Sequence, residues 1–231
     1  MPVVVVWDAE TDRSFQSLRG MCREQQMRTM EATVICALEF DSEASVVPGN
    51  WEAALDVAKA HHWWRDVVDA NSSGPFAGLL QLFDRAEVIV AYNGLNFDFP
   101  VIRKYYGNGK TARRRYLEHR LKTLDPMLKV AGAADISYPK LDGLLKSNRL
   151  STKTGDGLLA IKMWEEGRRQ ELQEYCAHDV QQLAQLVHLD KMEVANVGHL
   201  PNCVHGIASA ILMQRALQPE PDAGGTGATL V

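Results

Sequence analysis

The amino-acid sequence predicts an α/β fold with a mixed central sheet, flanking helices and a mostly helical C-terminal half. Residues 3–7 form a continuous β-branched and aromatic run, which is typical of a strand buried on both faces. Residues 33–40 and 87–92 are rich in Val and Ile and predict two further strands. The apolar periodicity of residues 76–85 predicts an amphipathic helix before the last of these strands.

Helical patterns dominate the remainder of the chain, and residues 121–124 are the one further strand predicted there. The expected helices cover residues 99–106, 125–131, 141–146, 157–166, 168–190 and 204–217. The last segment, residues 218–231, contains Pro, Gly and Thr with little apolar surface, so we expect a disordered tail.

The chain length of 231 residues and the ordinary globular composition predict one domain, residues 1–217. The turn-rich residues 41–75 match no expected element and are interpreted as an insertion of unknown role. Three of the five tryptophans lie in this segment, and we expect them to pack it rather than to bind bases: Trp51, Trp63 and Trp64.

The net charge of −4 argues against a protein that holds nucleic acid through a broad basic surface. The four cysteines show no CxxC spacing, and the group His199, Cys203 and His205 fits no zinc pattern. No apolar run approaches membrane-spanning length. We therefore expect a soluble intracellular protein that makes no membrane contact.

Three acidic motifs follow one another along the chain. Asp8 and Glu10 stand two residues apart at the end of the first strand, so both side chains leave one face if the strand continues. Asp98 follows a Gly-containing turn at a helix start, where Phe97 and Phe99 would shield its carboxylate from water. Each motif taken alone also fits a structural role: the first could be a polar strand end and the second a helix N-cap.

The third motif lies on the long helix predicted near residue 180. Tyr175 and Asp179 are spaced i, i+4, so a phenol and a carboxylate share one helix face. Taken alone, this spacing also fits an amphipathic helix with a half-buried tyrosine.

The order D-x-E, N-x-x-x-F-D and Y-x-x-x-D resembles the proofreading 3′–5′ exonuclease domain of family B DNA polymerases and its stand-alone relatives, the DEDDy subgroup with an RNase H-like fold. Residues 7–10 resemble the first exonuclease motif of that family, residues 93–98 with Pro100 the second, and Tyr175 with Asp179 the third. The resemblance covers roughly residues 3–189, except for residues 41–75.

This resemblance implies that Asp8, Glu10, Asp98 and Asp179 bind two divalent ions, Mg²⁺ or Mn²⁺, with Asp8 bridging them, and that Tyr175 orients the attacking water. Carboxylate ligands suit such oxygen-preferring ions, and two ions about 3.5–4 Å apart serve both oxygens of an in-line phosphodiester displacement. The expected substrates are single-stranded or frayed 3′ ends of DNA or RNA, which yield nucleoside 5′-monophosphates. Proofreading would require a polymerase or repair partner.

The resemblance also predicts residues that contact the nucleic acid. Thr11, Asn93, Asn96 and Phe97 would shape the pocket for the terminal nucleotide. The basic stretch that contains Arg113, Arg114 and Arg115 predicts a backbone contact, although such charge runs are often solvated faces.

Two alternatives belong to other functional classes. A catalytically silent nucleic-acid-binding scaffold would keep the fold, but all four carboxylates and the tyrosine of the motifs are present. A phosphatase with an aspartyl nucleophile would favour a second Asp where Glu10 stands, and it leaves the late Tyr-x-x-x-Asp motif unexplained.

Overall fold

The structure, a computed structural model, describes residues 3–41, 51–68, 74–152, 155, 157–189 and 191–201. A five-stranded sheet in the order β3-β2-β1-β4-β5 forms its centre. The strands are β1 (Val3–Thr11), β2 (Ala32–Asp41), β3 (Lys59–Trp64), β4 (Ala86–Val90) and β5 (Thr123–Leu124). Strands β1, β2 and β3 pair antiparallel, whereas β4 is parallel to both β1 and β5. The predicted mixed sheet is therefore confirmed.

Helices flank this sheet and include most of the described residues that follow β5, as expected. Those in the described residues are α1 (Arg23–Thr29), α2 (Trp51–Val57), α3 (Ala77–Arg85), α4 (Asp98–Ile102), α5 (Lys110–Leu121), α6 (Pro126–Ala134), α7 (Leu141–Ser147), α8 (Gly157–Glu165) and α9 (Arg169–Val187). A 3₁₀ turn, Arg103–Tyr106, follows α4, and strands Lys191–Val194 and Gly198–Pro201 form a separate antiparallel pair.

The two faces of β1 are buried in different cores, which explains its nearly continuous apolar sequence. Val4 and Val6 pack into a core that includes Leu172, Val180 and other residues of α9. Val5 and Trp7 belong to the opposite core with residues of α1, α3 and α4. Because side chains alternate along a strand, even-numbered positions of β1 face α9.

The structure differs from the sequence predictions in several elements. Residues 59–64, within the segment interpreted as an insertion, are the edge strand β3 of the central sheet. Helices α1 and α5 were not expected, because each buries only one side chain and shows no apolar stripe. The predicted strand at residues 121–124 is reduced to Thr123–Leu124.

Several predictions concern parts of the chain that the structure does not describe. The expected helix at residues 204–217, the tail at residues 218–231, and Cys203 and His205 all lie outside the described residues. Within the described part, no helix combines the length and apolar character needed to cross a membrane.

Candidate active site

The first two candidate ligands lie on the last part of β1. The strand continues to Thr11 because β2 pairs along its whole length, with Asp8 opposite Cys36 and Glu10 opposite Val34. Asp8 and Glu10 therefore continue the alternation of Val4 and Val6 and face helix α9. Glu10 is buried and Asp8 is partly exposed. This placement gives two carboxylates on one face of the central strand, open to solvent at Asp8.

Helix α9 supplies the side chains that lie opposite this strand. Tyr175 and Asp179 are both buried, and their i, i+4 spacing places them on one face of the helix. Cys176 is fully buried, and its thiol donates to the main-chain carbonyl of Asp8 over 3.6 Å. This contact joins α9 to β1 at the level of the carboxylates.

The described residues contain one group of three potential metal ligands, formed by Asp8, Glu10 and Cys176. One ligand atom from each lies within 4.8 Å of the other two. Asp98 and Asp179 are not members of this group, although both carboxylates are almost completely buried, at 3% exposure. The structure thus brings the first motif together with a cysteine that sequence reasoning did not single out.

Burial raises the pKa of the Cys176 thiol well above its ordinary value, and a hydrogen bond with Cys36 and the nearby charges of Asp8 and Glu10 act in the same direction. The thiol is therefore protonated at neutral pH when no cation is bound. The one feature of the sequence that could have pointed to Cys176 is its position between Tyr175 and Asp179 on the predicted helix.

Asp98 is the first residue of α4 and directly follows the turn after β4. Asn93 in this turn has a left-handed backbone, with φ of 59°. A Cβ on Gly94 would lie 2.3 Å from the Cβ of Ala91, so the turn requires glycine at this position. The main-chain N–H of Phe99 donates to the carbonyl of Gly94 over 2.9 Å and closes the turn at the start of α4.

Aromatic contacts on either side of Asp98 connect it to β1. Phe99 packs edge-on against Trp7, with ring centroids 5.3 Å apart. Phe97 packs against Phe15, which lies in the loop after β1, with ring centroids 5.7 Å apart. Trp7 directly precedes Asp8 in the chain. Asp98 is therefore buried between two aromatic residues that pack against β1 and the loop after it.

Asp125 is a buried carboxylate that sequence reasoning did not select. It accepts main-chain N–H groups from Asn93 at 2.9 Å, Leu95 at 3.3 Å and Met127 at 3.2 Å. Burial raises the pKa of Asp125, and these hydrogen bonds act in the opposite direction. Its position before a proline at a helix start was visible in the sequence, but its partners 30 and 32 residues away were not.

A cleft of about 460 Å³ lies next to these elements, between the loop after β1 and helix α8. Thr11 and Phe97, two predicted nucleotide contacts, lie in its wall together with Phe15 and Leu158. Asn93 is half-buried and Asn96 is exposed, and neither lines this cleft.

The predicted basic contact residues lie on helix α5. The Arg115 guanidinium makes two hydrogen bonds to the carboxylate of Asp84, at 2.6 and 2.8 Å, and Arg114 pairs with Glu118 at 2.7 Å. Arg113 is exposed. Two of the three arginines are thus engaged in ion pairs within the protein.

A sheet of this order, with carboxylates at the end of its central strand, defines an RNase H-like α/β protein. The family model for the RNase H superfamily matches residues 67–191, and the chain belongs to that superfamily. The fold expected from the sequence motifs is confirmed. The search of curated proteins gave no match.

Solved structures of similar fold include the family B DNA polymerase from the hyperthermophilic archaeon Pyrobaculum calidifontis, with 15% identity, a TM-score of 0.50 and 81% of this chain covered. Exonuclease I is matched at 15% identity with a TM-score of 0.43 over 76% of this chain. Escherichia coli exonuclease I in complex with a dA16 oligonucleotide is matched at 15% identity with a TM-score of 0.39 over 76% of this chain. The match spans 24% of the polymerase chain and 43% of each exonuclease I chain.

Proposed function

We propose that this protein is a metal-dependent 3′–5′ exonuclease that removes nucleoside 5′-monophosphates from DNA or RNA. The observation that carries this proposal is the position of Asp8 and Glu10 at the end of the central strand, facing the helix that bears Tyr175 and Asp179. The RNase H fold and its likeness to the polymerase structure are consistent with this function.

The donor set fits hard divalent cations. Buried carboxylates in close proximity repel one another unless cations or protons neutralise them, and carboxylate oxygens favour Mg²⁺ and Mn²⁺. We assign Asp8, Glu10, Asp98 and Asp179 as the ligands of two such ions. When bound, the ions would promote ionisation of the attacking water and offset the negative charge on the leaving oxygen.

The protein's own groups would position the reactants. Tyr175 stands one helical turn before Asp179, so its hydroxyl can hold a water against the scissile phosphate. The cleft beside Thr11 has the volume of a small-molecule pocket, which suits one unpaired chain end better than a duplex. Phe15 and Phe97 in its wall offer aromatic faces to a terminal base.

We further propose that residues 1–217 act as one exonuclease domain, and that any proofreading role depends on a polymerase or repair partner. The match spans 24% of the polymerase chain, so synthesis by that whole protein is not attributed to the residues described here.

The deciding experiment is digestion of DNA and RNA oligonucleotides labelled at either end, with Mg²⁺, Mn²⁺ or a chelator. We expect stepwise shortening from the 3′ end, release of 5′-monophosphates, and no reaction with the chelator or with an Asp8→Asn, Glu10→Gln double variant. Binding of the oligonucleotides without hydrolysis would support the silent-scaffold alternative instead. Activity that survives in the double variant would reject the assigned site.

A further inference from the structure

The carboxylate group at the end of β1 includes a thiol, which changes the cations that it can hold. Cys176 has its sulfur within 4.8 Å of an oxygen of Asp8 and of an oxygen of Glu10, and those two oxygens also lie within 4.8 Å of each other. A thiolate is a soft ligand that adds little to the binding of Mg²⁺ but binds Zn²⁺, Cd²⁺ and Co²⁺ strongly. The group is therefore a mixed oxygen and sulfur donor set.

The spacing is close to what a tetrahedral zinc site requires. With bonds of about 2.0 Å to oxygen and 2.3 Å to sulfur, the donor atoms of a tetrahedral site lie roughly 3.3–3.6 Å apart. The three atoms lie within 4.8 Å of one another, so side-chain rotations that move them by about an ångström would close the set. Asp8 is partly exposed, which gives an ion access from solvent.

A second thiol lies beside the first but outside the group. Cys36 stands opposite Asp8 across the β1–β2 pair, and its thiol donates to the main-chain carbonyl of Gln173 over 3.7 Å. Cys36 and Cys176 are both buried in the same core. Because only Cys176 lies within reach of both carboxylates, Cys36 is a matched control for it.

We propose that Asp8, Glu10 and Cys176 form a binding site for a soft divalent cation such as Zn²⁺. The sulfur forms a bond to the metal as its S–H bond breaks, and the proton passes to solvent. Zinc held in this way occupies the carboxylates that the proposed nuclease needs, so it would inhibit hydrolysis in competition with Mg²⁺. This inhibitory consequence rests on the proposed function, whereas the binding does not.

The test uses Co²⁺ as a spectroscopic probe for the full chain in which the other two cysteines, Cys22 and Cys203, are replaced by serine. We expect a thiolate-to-cobalt charge-transfer band that saturates at one equivalent and disappears when Zn²⁺ is added. Cys36→Ser should keep the band. Cys176→Ser should abolish it and weaken zinc binding at least tenfold. A band that persists in Cys176→Ser would overturn the proposal.

A second measurement needs no substitution at Cys36 or Cys176. X-ray absorption at the zinc edge of the protein that retains Cys36 and Cys176 should show one sulfur neighbour at about 2.3 Å. A shell of oxygen or nitrogen alone would reject the thiol as a ligand.

Oligonucleotide hydrolysis in Mg²⁺, measured on the same preparations, separates this proposal from the proposed function. If the metal is bound to sulfur but the protein does not hydrolyse nucleic acid, the cation site is supported and the proposed exonuclease function is rejected. Hydrolysis in Mg²⁺ without any sulfur ligation would reject the cation site alone. Hydrolysis that zinc suppresses in wild type but much less in Cys176→Ser would support both.

Discussion

Asp125 accepts the main-chain N–H of Asn93 over 2.9 Å and thereby joins the turn after β4 to the start of α6. The same carboxylate accepts the N–H of Leu95 in that turn. Asp98 begins the next helix three residues later. A buried side chain outside the acidic motifs therefore holds the turn that presents Asp98.

The first prediction follows from this arrangement. Replacing Asp125 by Ala removes the acceptor of three main-chain N–H groups, one in a buried and two in partly buried hydrogen bonds, and we expect a loss of about 2–4 kcal/mol in the free energy of unfolding. Asp125→Asn keeps one acceptor oxygen and should lose less than half as much. Urea denaturation measures both values, and equal stabilities of Asp125→Ala and wild type would show that the turn does not depend on this carboxylate.

The second prediction concerns the carboxylates on β1. Asp8→Ala should reduce hydrolysis below detection and leave the melting temperature without metal unchanged or higher, because removing one of several close carboxylates relieves repulsion. Adding Mg²⁺ or Mn²⁺ should raise the melting temperature of wild type but not that of the variant, since ligands that bind only the folded state stabilise it.

Asp12 offers a matched control on the same segment. Its carboxylate accepts the main-chain N–H of Glu31 over 2.9 Å and a hydrogen bond from Arg65 over 3.3 Å. Asp12→Ala should therefore lose stability and keep its response to Mg²⁺, the opposite of Asp8→Ala. Equal responses of the two variants to metal would contradict the assignment of Asp8 as a ligand.

The parts of the fold that were predictable share a strong local pattern. Strand β1 is a run of β-branched residues buried on both faces, and the apolar side chains of α9 lie on one face that packs into the core. Strand β3 was missed because it lies at the sheet edge, where its burial does not alternate and its residues include two histidines. Helix α5 was missed because it is polar on nearly all sides and buries only His119.

The same distinction applies to the candidate site. The acidic motifs could be recognised from their spacing, since each is formed by residues that are close together along the chain. The contact of Cys176 with Asp8 could not, because it joins residues 168 positions apart. Asp125 likewise acts across 32 residues on Asn93. Such contacts depend on tertiary packing and leave no local signal.

The third prediction divides the basic residues of α5. Arg115→Ala should cost about 1 kcal/mol of stability, because its paired hydrogen bonds to Asp84 are lost. Arg113→Ala should not change stability, and if the helix contacts nucleic acid it should flatten the salt dependence of oligonucleotide binding. Thermal melting and binding at several salt concentrations measure the two effects. An unchanged salt slope would make Arg113 part of a solvated face.

The fourth prediction concerns His119, which is buried between Tyr106 and Asp84. The tyrosine hydroxyl lies 2.9 Å from Nδ1 and the aspartate oxygen 2.9 Å from Nε2, so one neutral tautomer satisfies both. Burial lowers the pKa of His119 to about 4, and the positive charge of Lys122 acts in the same direction. Asp84 opposes this shift.

Because the pKa of His119 is lower in the folded state, the unfolded chain takes up a proton first as the pH falls. Protonation of His119 in the unfolded chain therefore lowers the free energy of unfolding once the pH falls below about 6.5. This loss of stability grows down to about pH 4, where it totals about 3 kcal/mol. Unfolding measured from pH 4 to 7 should show a weaker pH dependence in His119→Gln than in wild type. Identical slopes would reject this contribution.

The last prediction asks which side chain on α9 orients the attacking water. Tyr175 and Asp179 share one helix face and are both buried, whereas His178 is turned about 100° away from Asp179 and is only half-buried. We therefore expect Tyr175→Phe to lower the turnover rate by roughly ten- to a thousandfold while metal binding is retained. His178→Ala, the matched control on the same helix, should retain nearly full turnover.

The measurements are single-turnover hydrolysis of a 3′-labelled oligonucleotide and metal-dependent melting of both variants. Loss of turnover with an unchanged metal response in Tyr175→Phe separates a role in positioning water from a role in holding the ions. If His178→Ala loses turnover and Tyr175→Phe retains it, the histidine takes that role and the assignment of the third motif is wrong. The proposed exonuclease function would stand in that case, because it rests on the carboxylates on β1 and not on which residue orients the water.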